Sequence, residues 1–110
     1  MNLSTSAIVA RNTEWSGLRH TEPYEAGWAT EAIVFVRALK APRGGAGRAH
    51  VEISGDGMTW VRDGTSFDLP QEKDAVTFAR IAHFGSWLRI AADIPDDGIQ
   101  TLLVTLHLKG

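Results

Sequence analysis

Hydrophobic and polar positions alternate with a period of two along much of this chain. In residues 101–108, Leu102, Val104, Leu106 and Leu108 share one face, while Thr101, Leu103, Thr105 and His107 share the other. Side chains of an extended backbone point to opposite faces in turn, so this segment predicts a half-buried strand held in a sheet. Residues 32–39 differ: Ile33, Phe35 and Leu39 lie on one side and Val34 and Val36 on the other. Apolar on both sides and β-branched, that run predicts a central strand covered above and below, or covered on one face by a partner. Val51 and Ile53 alternate with His50 and Glu52, and Ser54-Gly55-Asp56-Gly57 then supplies turn chemistry. With residues 59–62 as the returning arm and Asp63-Gly64 as a second turn, a β-hairpin is expected. Residues 87–91 form another alternating strand between Gly85-Ser86 and the turn at residues 94–98.

One segment admits two readings. Pro70-Gln71-Glu72-Lys73-Asp74 ahead of residues 75–84 can open a helix, with acids in its first turn and Gly85 beyond its end. Alternation of Val76, Phe78 and Arg80 with Thr77, Ala79 and Ile81 favours a strand after a charged turn. Short strands near residues 6–11 and 66–69 bring the expectation to seven or eight. Turn signals between them predict an antiparallel β-sandwich of jelly-roll-like kind, one all-β domain over residues 1–110. Residues 42–48, Pro-Arg-Gly-Gly-Ala-Gly-Arg, are the expected flexible loop.

Composition narrows the function. The chain has 110 residues, 44% of them apolar and 22% charged, which fits a globular fold rather than a disordered one. Eleven cations, mostly Arg, against thirteen acids give a net charge of −2. A small nucleic-acid binder carries a basic excess, so no nucleic-acid partner is expected. With no cysteine there is neither a disulfide framework nor a thiolate nucleophile or metal site. The longest apolar stretch, residues 32–36, is far short of a membrane helix, and the N-terminus lacks a signal-peptide pattern. A cytoplasmic or particle-associated protein without a membrane partner is the expectation.

Catalytic templates find little purchase. There is no His-Glu-x-x-His pair, and Ser86 sits in Phe84-Gly85-Ser86-Trp87-Leu88, which lacks the second glycine of a nucleophile elbow. The four histidines, His20, His50, His83 and His107, are widely spaced, and Asp93, Asp96 and Asp97 around Pro95 read as a turn rather than a calcium loop. No cofactor, metal or catalytic residue is expected. A hydrolase or isomerase built from His20, His83 and a distant acid is the weakest of three readings. Arg43 and Arg48 flank the glycine-rich loop, where an anion or acidic partner surface can meet them, although the loop matches neither a P-loop nor a dinucleotide fingerprint.

Four tryptophans are many for this length. Trp60 and Trp87 fall on expected strands and are assigned to the core. Trp15, Trp28 and nearby Tyr24 fall in the less regular region of residues 12–30, where aromatics plug the end of a sandwich or form a stacking platform. Ser54-Gly55-Asp56-Gly57-Met58-Thr59-Trp60 resembles the Ser-x-Asp-Gly-x-Thr-Trp hairpin of discoidin-type and related carbohydrate-binding sandwiches. That resemblance implies a jelly-roll-like fold in which the Trp packs in the core. It takes in residues 87–90 and the last strand as well, and covers about half the chain.

Two readings therefore lead. The first is a non-enzymatic structural or interaction subunit acting through its surface, in a homo-oligomer or a larger, phage- or virion-associated assembly. Its motive is the surplus apolar surface of residues 33–39. The second is a carbohydrate-binding module with Trp15, Tyr24 and Trp28 as its platform and a glycan as its partner.

Overall fold

The computed structural model describes residues 4–45 and 47–110. Ala46 of the glycine-rich loop lies outside the described residues, as do Met1, Asn2 and Leu3 at the start of the chain. The described residues form nine strands and no helix: β1 (Ser4–Trp15), β2 (Leu18–His20), β3 (Tyr24–Glu25), β4 (Glu31–Ala38), β5 (Arg48–Ser54), β6 (Val61–Asp68), β7 (Val76–Ala82), β8 (Trp87–Asp93) and β9 (Gln100–Lys109).

All pairings are antiparallel, in two sheets. One has the order β1-β9-β4-β7, and the other β2-β8-β5-β6 with β3 also on β8. Strands β2 and β3 are two halves of one interrupted strand, since both pair with β8 and only Thr21, Glu22 and Pro23 separate them. Proline has no N–H to give the ladder. The buried Thr21 compensates: its amide donates to the Ile90 carbonyl at 2.8 Å and its hydroxyl accepts from the Ile90 amide at 3.0 Å. With β2 and β3 counted as one, the sheets read 1-8-3-6 and 2-7-4-5, the strand order of a jelly roll.

Alternation puts one face of each sheet into the core. Val34 and Val36 of β4 meet Leu102, Val104, Leu106 and Leu108 of β9, and the other sheet contributes Val51, Leu88 and Ile90. Burying such side chains is worth about 1.5–3 kcal/mol each before entropy is counted.

One expectation is met and others need correction. The doubtful segment at 70–84 contains strand β7, preceded by a turn that Ala75 closes with a hydrogen bond to the Glu72 carbonyl. Asp63-Gly64 is not a turn between strands; it lies inside β6. There His50 pairs with Ser66 but Glu52 with Arg62, so Asp63, Gly64 and Thr65 face Val51 alone in a wide bulge. Gly64 takes φ +100°, and Asp63 Oδ1 accepts the Thr65 amide at 2.7 Å. Positive φ and a local Asx bond suit a bulge as well as a turn. The separate strand expected at 66–69 is simply the far end of β6. The first strand runs on from Arg11 to Trp15, past register irregularities after Ile8 and Ala10.

Arg43, Gly44 and Gly45 of the loop expected to be flexible are docked rather than free. Arg43 pairs with Ile99 in an isolated bridge, and the Gly45 amide donates to Asp97 Oδ1 at 3.3 Å. A Cβ on Gly44, where φ is +72°, would lie 1.9 Å from the Asp97 carbonyl oxygen, so only glycine fits that contact.

Candidate functional site

The outward face of the β1-β9-β4-β7 sheet carries the feature that a small core leaves unexplained. Register aligns its side chains in rows. Phe35 pairs with Phe78 on one side and Thr105 on the other, and Thr105 pairs with Ile8, so Ile8, Thr105, Phe35 and Phe78 form one line across all four strands. Arg37 and its neighbours Val76 and Leu103 form the next row, and Ile33 with Arg80, His107 and Ser6 the row on the other side. Ile8 and Phe78 are each 47% exposed and Val76 51%, with Ile33, Phe35 and Leu103 half-buried beside them. Single exposed apolar side chains need no explanation, whereas several gathered on one sheet face call for one.

Aromatic contacts hold the patch in shape. The Phe35 and Phe78 rings lie 6.0 Å apart at 35°, and the His107 ring meets Phe35 edge-on at 5.2 Å. The Arg80 guanidinium sits 5.2 Å from the centre of the Phe78 ring. His107 Nδ1 is 3.0 Å from the Ser6 hydroxyl. That pair lies on an open sheet face, whereas a serine nucleophile needs its base oriented by a third group and donors for the oxyanion. A recess of about 350 Å³ lies between Glu31, Ile33, Arg80, His107 and Lys109. At the other end, Arg37 bonds Asp74 at 3.0 Å; both are about half exposed, and such a pair contributes little stability.

The opposite outer face, on β5 and β8, is polar. Arg89 Nε donates to Glu52 Oε1 at 2.6 Å, and its guanidinium lies 4.2 Å from the centre of the Trp60 ring. His50 Nε2 is 3.7 Å from Glu52 Oε2. Partial burial, with Arg62 nearby, holds the His50 imidazole below its ordinary pKa despite Glu52.

No protein-family model matches the chain, and no curated protein matches it by sequence. Solved structures do share its shape. The SPBc2 prophage-derived protein YomS superposes with a TM-score of 0.64 at 9% identity, over 100% of this chain and 96% of that one. The PBSX exported protein XepA gives 0.57 at 11% identity over 100% of this chain and 37% of XepA. PirA gives 0.55 at 13%, over 96% and 92%. The likeness is one of fold.

The sequence-derived candidates are scattered through that fold. Trp15 is 2% exposed and part of the core cluster, so it has no ring face to offer a ligand. This is a correction to its place in a stacking platform: the longer β1 carries it inward. Tyr24 pairs with Leu88 and packs on the core. Trp28 is 40% exposed, and its ring lies against Gly110. Arg48 is engaged across β5 and β6, with Nη1 paired to Asp68 and Nη2 donating to Ser66 Oγ at 3.0 Å. Arg43 is exposed on the docked loop. His20 lies on β2 and His83 just beyond β7, in different sheets, and the histidine that lines the recess is His107.

The core assignments of Trp60 and Trp87 also need correcting, since both are half-buried. Trp60 precedes β6 and packs on Arg89, and the Trp87 ring lies under Gly57, whose Cβ would come within 3.2 Å of it. Hydrogen bonds to Asp56 fix the turn after Ser54. Asp56 Oδ1 accepts the amides of Thr59 and Met58 at 2.9 and 2.8 Å and the Ser54 hydroxyl at 3.0 Å. These bonds hold the Asp56 carboxyl below its usual pKa. Of the exposed patch, Ile8, Val76 and Phe78 escaped notice in the sequence. The signal for Phe78 was its alternation within the segment that had two readings.

Proposed function

We propose that this chain is a non-enzymatic interaction subunit that works through its surface, in a homo-oligomer or a larger assembly associated with a phage or virion particle. The observation that carries this reading is the row Ile8, Thr105, Phe35 and Phe78, apolar at three of its four positions, across the outer face of one sheet. Covering exposed apolar surface contributes about 25 cal/mol per Å², and four adjacent strands gather that surface in one place. The β1 edge of the same sheet is a poorer route. Strand β1 is broken by two register irregularities and by Asn12 at φ 48°, features that blunt edge-to-edge pairing.

The fold shared with an SPBc2 prophage-derived protein supports the particle association. Light scattering after size exclusion, run from micromolar to millimolar protein, tests the reading. The expected result is a mass that rises reversibly with concentration. A constant monomer mass over the whole range, with no copurifying partner, contradicts it.

A further inference from the structure

We propose that the outer face of β1-β9-β4-β7 pairs with the same face of a second copy. The two-fold axis lies in the interface and crosses the strands between the row of Ile33 and the row of Phe35. The inference rests on the interaction-surface reading above and gives that surface a partner and a register.

The argument is the pattern of the face itself. In a two-fold contact, whatever one residue meets must meet it in return. An axis across the strands lays β4 antiparallel over β4 of the other copy and exchanges rows about their midpoint. The outward residues of β4 are Glu31, Ile33, Phe35 and Arg37, at equal spacing along the strand. The exchange therefore sets Glu31 opposite Arg37 and Ile33 opposite Phe35, each contact made twice. On β7 the same operation sets Arg80, which pairs with Ile33, opposite Phe78, which pairs with Phe35. On β4 and β7 acid meets base, aliphatic meets aromatic, and a guanidinium meets a ring, while on β9 Lys109 of the Glu31 row meets Leu103 of the Arg37 row. An axis along β4 itself would leave each of its rows facing itself, with Glu31 opposing Glu31 and Arg37 opposing Arg37.

Size sets the strength. Four strands about 4.8 Å apart and some eight residues of about 3.3 Å each give a footprint of roughly 500 Å² per copy. That is below the ~800 Å² per partner of a standard stable interface, so the pair is a weak, reversible one. Its polar ends fix the register more than they add affinity.

Sedimentation equilibrium on Glu31→Arg, Arg37→Glu and the double variant tests the pairing, with circular dichroism confirming that each is folded. Arg19→Glu, on β2 of the other sheet, controls for net charge. Each single reversal places like charges opposite each other twice and is expected to weaken self-association about tenfold or more. The double variant restores opposite charges and is expected to return within about threefold of the native value. If the native chain associates but the single reversals do not weaken it, or the double variant stays as weak as they are, the pairing is overturned while the interaction-surface reading stands. If the native chain does not associate at all, the pairing falls, and with it the homo-oligomer part of the reading above.

Discussion

Gln100 Nε2 donates to the carbonyl of Pro70 at 2.9 Å inside the protein. The same side chain accepts the Gly47 amide through Oε1 at 3.3 Å, and Gln100 is only 1% exposed. One amide thus ties the loop before β5 and the segment after β6 to the start of β9. Gln100→Leu keeps the volume but leaves a buried N–H and C=O without partners, each at a cost of about 1–3 kcal/mol. The expected loss is about 2–5 kcal/mol in a urea melt. A loss under about 1 kcal/mol would show that water serves both groups equally well.

Trp15 and Trp28 should behave oppositely. Trp15, at the end of β1 and opposite Gln100, is part of the core, and Trp15→Ala is expected to cost about 3–5 kcal/mol. Trp28 keeps 40% of its surface in solvent, and Trp28→Ala is expected to cost under about 1.5 kcal/mol. Paired denaturation curves check this, and equal losses would contradict the placement of Trp15.

Acid should destabilise the protein through His50. Its folded pKa lies below the unfolded value of about 6.5, first because burial disfavours the charged ring and then because Arg62 repels it. Glu52 and Asp93 oppose this without reversing it. The unfolded chain therefore binds the proton more readily. The stability linked to His50 is present above the unfolded pKa and is lost as pH falls from there through the folded value. His50→Gln is expected to flatten the pH dependence of the urea midpoint between about pH 7.5 and 5. An unchanged slope would show that His50 is not linked to folding.

How much of this was legible in the sequence depends on what each residue type specifies. The strict alternation of Leu102, Val104, Leu106 and Leu108 marks β9, because only one face of that strand is buried. The two apolar faces of β4 likewise point to a second covering, and the structure shows which side lies open: that of Ile33 and Phe35. Asp63-Gly64 misleads because a bulge and a turn ask the same thing of a backbone, a positive φ and a short acceptor. The tryptophans exchange roles for another reason. Burial depends on where each strand ends, and β1 runs far enough to carry Trp15 inward, while β6 starts too late to include Trp60. Phe78 could not be placed on a surface patch until the strand reading of β7 was fixed, since a helix would have sent its side chain elsewhere.

The central claim is that the outer face of β1-β9-β4-β7 is where this protein meets its partners. Sedimentation equilibrium of Phe78→Asp beside His20→Asp tests it most directly, since Phe78 lies on that face and His20 on β2 of the other sheet. The account predicts that Phe78→Asp remains a folded monomer at concentrations where the native chain and His20→Asp associate. Association of Phe78→Asp equal to that of the native chain would contradict it.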